Sequence, residues 1–321
     1  MVIIDKLVIV APVRWLAKAL LQDVLSHAPG GERLNYLLQR RVLHTLPLSV
    51  DGFRRKADRA FEHFAAFREF VGVDPAAASF YEFGAGWDLT IPLTYYALGV
   101  ERQTLVDVRP LARLDLVEHS IGLFEQLDVA ADKPLRSLGQ PRIRSVEELR
   151  ERFGIEYLAP RDAGDTGLPS GSFDFISSTD TLEHIPERDL RRVLGECGRL
   201  LKPKGVLSSR VDLEDHYSHF DRSLSDFNFL KFGDRSWRLF NPSLHYQSRL
   251  RYPDYVRLLH DCGFEIRRQR TSRVSDVELE RLRKLRLAPR FRDYSFDELA
   301  VKGLVFVATR RNETARRSAP G

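Results

Sequence analysis

Glu82-Phe83-Gly84-Ala85-Gly86-Trp87-Asp88 joins a strand-like end to a Gly-x-Gly turn, and Leu89 to Leu98 continue with helical spacing. Such a turn presents backbone N–H groups and a helix start to a nucleotide-type cofactor. A dinucleotide fingerprint would place a third glycine at position 89, where this chain has Leu89. Asp88 puts a carboxylate where a pyrophosphate would otherwise sit, which favours a cofactor without phosphates and suits a cationic one. Gln103 to Val108 reads as a short apolar strand ending in Asp107, about twenty residues past the glycines, the place where an acid holds ribose hydroxyls.

A second constellation lies further along. Leu213-Glu214-Asp215-His216-Tyr217-Ser218-His219-Phe220-Asp221 gathers two histidines and several carboxylates after an apolar strand. Histidine titrates near neutrality, so His216 or His219 could take a proton from a nucleophile, and His184 in Thr181-Leu182-Glu183-His184-Ile185 is a further candidate. His216, His219 and Asp221 could alternatively ligate a divalent metal, although their spacing matches no recognised metal motif. The following stretch is rich in aromatic and basic residues, among them Phe227, Phe229, Trp237, Phe240, Tyr246, Arg249 and Arg251. Aromatic walls with guanidinium groups suit an organic anion, whereas a lid packed on the core would use the same residues structurally.

Taken in order, Glu82-Phe83-Gly84-Ala85-Gly86, Val106-Asp107-Val108, Asp162-Ala163, Asp180-Thr181-Leu182-Glu183-His184-Ile185 and Arg199-Leu200-Leu201-Lys202-Pro203-Lys204-Gly205 resemble the signature of class I S-adenosylmethionine-dependent methyltransferases. The resemblance spans roughly residues 78 to 310. It implies an α/β fold, a Rossmann-like seven-stranded sheet with helices on both faces, and S-adenosylmethionine as cofactor. By that resemblance Glu82, Gly84, Ala85 and Gly86 take the methionine part, Asp107 with Val108 the ribose, and Asp162 with Ala163 the adenine. Asp88 departs from the pattern, since many members carry glycine there. The Leu-Glu-His-Ile stretch is common to members with different substrates, so His184 is open to a structural or a catalytic role.

The elements that must position these residues follow from periodicity. Short apolar runs at 79–83, 103–108, 155–159, 173–178, 205–212, 263–268 and 303–309 alternate with helical segments, the pattern of a parallel sheet covered on both faces. Ligands in such sheets bind beyond the carboxyl ends of the strands, which places Thr179 along the cofactor. Residues 1–75 show helical spacing and form an amino-terminal helical cap; 76–310 form the catalytic domain, with a lid insertion at about 213–252; 311–321 form a frayed tail.

At 321 residues the chain can bury a large core. Its only cysteines, Cys197 and Cys262, have no paired spacing, which argues against a disulfide framework and a cysteine zinc site and for a cytoplasmic setting. The apolar start, Met1 to Val10, is broken by Asp5 and Lys6, too early for a bilayer span or a signal peptide; packing on the domain is expected, with peripheral membrane contact as the alternative. A net charge of +5 and the clusters around Arg267 and Arg281 raise nucleic acid as a partner, but Asp276, Glu278 and Glu280 alternate with the second cluster and favour a solvated face. The expected function is methyl transfer to oxygen, nitrogen or carbon of a small, anionic biosynthetic metabolite. An RNA methyltransferase and a catalytically inactive S-adenosylmethionine-binding scaffold are the alternatives.

Overall fold

In β1 (Ser79–Phe83) successive side chains turn to opposite faces of the sheet, and both faces are apolar: Phe80 packs with Phe67 and Phe175, while Tyr81 and Phe83 pack with Phe173 and Ile176. The computed structural model describes residues 13–27, 30–41, 46–127, 135–221, 223–243 and 246–311. The other strands are β2 (Arg102–Val106), β3 (Ile155–Leu158), β4 (Phe173–Thr179), β5 (Leu201–Asp212), β6 (Phe264–Arg273) and β7 (Val301–Arg310). They form one seven-stranded sheet in the order β3-β2-β1-β4-β5-β7-β6. All neighbours from β3 to β5 are parallel, and β7 is antiparallel to both β5 and β6.

Each expected strand is present, and β5, β6 and β7 are each at least three residues longer than expected. β5 begins at Leu201, because Lys202-Pro203-Lys204-Gly205 is drawn into the strand as an irregularity between Leu201, opposite Phe173, and Val206, opposite Phe175. Such bulges accommodate proline where a regular ladder would not. β6 runs on to Arg273 because antiparallel β7 pairs with it along its whole length.

The helices in chain order are α1 (Val13–His27), α2 (Gly31–Arg41), α3 (Val50–Phe70), α4 (Thr90–Ala97), α5 (Leu114–Phe124), α6 (Val146–Phe153), α7 (Glu187–Leu200), α8 (His216–Phe220), α9 (Asp234–Leu239), α10 (Tyr252–Asp261), α11 (Asp276–Arg283) and α12 (Phe296–Leu299). Ser49 caps α3, its Oγ accepting the Gly52 N–H at 3.1 Å, and Phe53, Ala57, Ala60, His63 and Phe67 form the buried stripe that follows. That stripe lies directly on β1, β4 and β5, so α3 belongs to the helical layer of the sheet although it precedes β1. α7 and α10 cover the opposite face with Leu190, Val193, Leu194, Tyr255 and Leu258.

A second core stands apart from the sheet. Trp15 of α1 packs on Tyr217, Phe232 and Phe240, and Phe227, Phe229, Trp237, Leu282, Phe291 and Leu299 complete the cluster. Phe227, Phe229, Phe232, Trp237 and Phe240 are therefore core, because they bury one another and the 282–300 segment; Tyr246 stands outside this cluster. Arg251 and Arg249 are buried with them. The Arg251 guanidinium donates to the carbonyls of Leu213 (2.7 Å), Leu299 (2.9 Å) and Val301 (2.5 Å), and Arg249 donates to Phe229 O (3.0 Å) and Asp234 (2.6 Å). Residues 1–10 and the tail from 312 lie outside the described residues. Among the described residues no helix is long and apolar enough to cross a membrane.

Candidate active site

The chain leaves β1 toward β2 and β3 and later returns to place β4 on the other side of β1. At such a switch the loops after neighbouring strands diverge and leave a crevice at their carboxyl ends. The crevice here has a volume of about 520 Å³ and is lined from the β1, β2 and β4 ends by Glu82, Gly84, Ala85, Gly86, Asp107, Val108, Thr179 and Asp180. Lys56 and Arg59 of α3, His184, His216 and Tyr246 complete its wall. A smaller cavity of about 290 Å³ adjoins it through Gly84, Asp107, Thr181 and His184 and extends to Asp162, Ala163 and Arg192.

The glycine turn is fixed sterically. Gly84 has φ +76°, and a β-carbon there would stand 2.4 Å from Thr181 Cγ2. Gly86 also has φ +76°, but open space faces it. Leu89, where a third glycine is missing, still adopts the left-handed conformation at φ 50°, with its side chain buried in the core. Asp88 does not offer a free charge to a cofactor. Its Oδ1 accepts from Thr90 N (3.1 Å) and Thr90 Oγ1 (2.6 Å), and its Oδ2 is paired with Lys56 at 2.6 Å. The sequence expectation is corrected here: Asp88 starts α4 and is neutralised by α3.

Two other carboxylates are poised differently. Glu82 is buried beneath the turn with, among the described residues, only Ser177 Oγ donating to it, at 3.3 Å, and burial raises its pKa to about 8. Asp107 is raised to about 7, again chiefly by burial and against the stabilising hydrogen bonds it accepts. One of these comes from Tyr157, whose hydroxyl donates to Asp107 at 3.1 Å while accepting the N–H groups of Leu111 (3.0 Å) and Ala112 (3.2 Å). Near neutrality Glu82 is thus mostly and Asp107 about half protonated, and a cation or a pair of hydroxyls would favour the ionised forms. Asp162 is half exposed, accepts the Gly164 N–H at 2.7 Å and pairs with Arg192.

The histidines separate. His184 Nδ1 lies 2.7 Å from the Tyr246 carbonyl, so it carries the hydrogen and leaves Nε2 with the lone pair; burial keeps this ring neutral by lowering its pKa. The His216 ring stands 5.0 Å from it. His219 does not line the crevice. It pairs with Glu214 at 2.9 Å, an interaction that raises its pKa. Nor does Asp221 join His216 and His219 as a ligand, because its Oδ1 accepts from Ser223 N (3.1 Å) and Ser223 Oγ (2.6 Å). Instead two other groups bring potential ligand atoms within 4.8 Å of one another: Glu183 with His184 and His216, and Asp212 with Glu214 and His219.

A family model described as a methyltransferase domain matches residues 141–209, from the segment before α6 into β5. That match is consistent with a class I S-adenosylmethionine-dependent methyltransferase. The structure is similar to geranyl diphosphate C-methyltransferase from Streptomyces coelicolor A3(2), with 12% identity over 81% of this chain and 80% of that one and a TM-score of 0.47. A methyltransferase of Methanosarcina mazei is 19% identical over 74% of this chain and 93% of its own (TM-score 0.42), and one of Mesorhizobium loti is 13% identical over 77% and 97% (TM-score 0.43). A search of curated proteins finds no match.

The residues of the crevice fit S-adenosylmethionine on two structural grounds. A buried, protonated Glu82 accompanies the bare backbone cradle at Gly84 and Gly86, which suits a cationic ligand at close approach. Several residues of the crevice were not singled out from sequence. Tyr157 lies fifty positions from the acid it holds. Lys56 and Arg59 sit in a helical repeat indistinguishable from a solvated face, and His63, in the same repeat, is buried between Ser208 Oγ (2.7 Å) and Thr179 Oγ1 (3.2 Å). A histidine at a core position of the α3 stripe was the one available signal.

Proposed function

We propose that this chain is a class I S-adenosylmethionine-dependent methyltransferase that acts on a small, anionic acceptor bound at the His184–His216 end of the crevice. The observation that carries the reading is that end's composition: His184, His216 and Tyr246 face the glycine turn, and the crevice volume is that of a small-molecule site. Glu82 and the backbone of Gly84 to Gly86 hold the methionine part of the cofactor, Asp107 braced by Tyr157 holds the ribose hydroxyls with Val108 beside it, and Asp162 and Ala163 border the adenine. Bound there, S-adenosylmethionine supplies a methyl group carried on a positively charged sulfur.

The chain's own residues have three tasks. Glu82 offers negative charge to the cationic part of the cofactor, Arg109 and the Asp180-paired Arg59 add positive charge to the crevice wall that favours an anionic acceptor, and His184 presents a neutral nitrogen lone pair where an acceptor hydroxyl needs one. The guanidinium groups of Arg249 and Arg251 take no part, since the insertion spends them on its own carbonyls. The basic clusters favour no RNA reading: Arg268 pairs with Glu69, Arg270 with Glu62, Arg281 with Glu278 and Arg283 with Glu280.

The test is transfer of a labelled methyl group from S-adenosylmethionine to small carboxylate, phosphate, phenol and amine acceptors, with a structured RNA in parallel. Label is expected on a small anionic acceptor. Transfer to RNA alone, or cofactor binding without transfer to any acceptor, would contradict the proposal.

A further inference from the structure

Glu183 is 1% exposed, and its carboxylate is only half used. Oε1 accepts the Asp212 N–H at 3.2 Å, while Oε2 is buried without a hydrogen-bond partner among the described residues. An orphaned carboxylate oxygen in a protein interior is costly and calls for a partner. The groups beside it are imidazoles. Glu183, His184 and His216 each bring one ligand atom within 4.8 Å of the others, and the His216 side chain is 10% exposed.

The outer hydrogen bond has the form that metal-bound histidines use. A ligating imidazole donates its second N–H to a carbonyl or carboxylate, which fixes the tautomer, and His184 Nδ1 makes that bond to Tyr246 O at 2.7 Å. Its Nε2 then has a lone pair for an ion. Both histidines line the crevice, so an ion there would keep positions open toward it.

We propose that Glu183, His184 and His216 form a divalent transition-metal site at the acceptor end of the crevice, with an oxygen of the acceptor completing the coordination. Two imidazoles and one carboxylate favour zinc, cobalt, iron or manganese over magnesium, which prefers an all-oxygen shell. Ligand atoms about 2.0 to 2.2 Å from an ion stand roughly 3 Å apart, so the side chains close slightly around it. The ion fixes an anionic acceptor oxygen and holds it deprotonated, the task otherwise left to an imidazole. The acceptor's role rests on the function proposed above, but the ion site does not.

The experiment uses full-length protein freed of metal by a chelator and titrated with Co²⁺, followed by ligand-field absorption and calorimetry, without cofactor or acceptor. One ion per chain is expected. His216→Ala and Glu183→Gln should each weaken binding about 10-fold or more, and His219→Ala should leave it within about twofold. Affinity for S-adenosylmethionine, measured without metal, tests the cofactor reading separately. Thermal melts establish that the variants fold, and the His216→Ala variant decides alone if Glu183→Gln does not. Absence of saturable Co²⁺ binding would overturn the proposal. So would binding that survives both substitutions and is lost in His219→Ala, because the ion would then sit among Asp212, Glu214 and His219.

Discussion

Gly84 and Gly86 share a φ of +76° yet differ in what surrounds them, and this separates two reasons for glycine. At Gly86 an alanine would meet only backbone strain, of order 1–2 kcal/mol. At Gly84 it would also meet Thr181, whose Cβ, Cγ2 and Oγ1 all lie within 2.9 Å of the added carbon. Gly84→Ala should therefore destabilise the protein more than Gly86→Ala, by at least about 1 kcal/mol, as read from urea unfolding; equal losses would show that Thr181 yields freely. Neither penalty can be read from the letters, because Thr181 lies 97 positions away in another loop. Asp107 and its place after β2 were legible from spacing. Its partner Tyr157 was not, since a tyrosine in a short strand reads as ordinary β composition.

The insertion between β5 and β6 shows how one composition serves two purposes. Phe227, Phe229, Trp237 and Arg251 carry the residue types of a ligand wall, and only their burial against Trp15 and Leu299 reveals a core. Arg251 is its keystone, fully buried and bonded to three carbonyls from two segments, Leu213 and Leu299 to Val301. Arg251→Leu should strand those carbonyls at about 1–3 kcal/mol each, so a loss of roughly 3 kcal/mol or more is expected in equilibrium unfolding. A loss below about 1 kcal/mol would mean that water replaces the guanidinium. The central strands were legible because β1, β4 and the middle of β5 are buried on both faces and read as apolar runs between turns. Their ends were less so: Lys202-Pro203-Lys204 looks like a loop, and its place in β5 depends on pairing with β4.

The whole molecule places an acid-rich crevice at the point where strand order reverses, with α3 closing one side and the insertion the other. Which loops meet there follows from topology, and topology was legible through the motif order; that His184 and His216 face one another while His219 turns to Glu214 was not, because neighbours on a five-residue helix diverge by angle alone. The crevice as a unit also has a protonation state. Burial raises Glu82 to about 8 and Asp107 to about 7, so at neutral pH in the free protein Glu82 is mostly protonated and Asp107 about half protonated. A cationic ligand favours the ionised forms and lowers both values. Binding must then release protons, and affinity must rise with pH until the acids are already ionised in the free state, above about pH 8.

Calorimetric titration of the protein with S-adenosylmethionine at pH 7, in two buffers of different ionisation enthalpy, measures binding and proton release together. Saturable binding of one cofactor per chain is predicted, with protons passing to the buffer and the release reduced in Glu82→Gln. No saturable binding in either buffer would contradict the assignment of the crevice as the cofactor site.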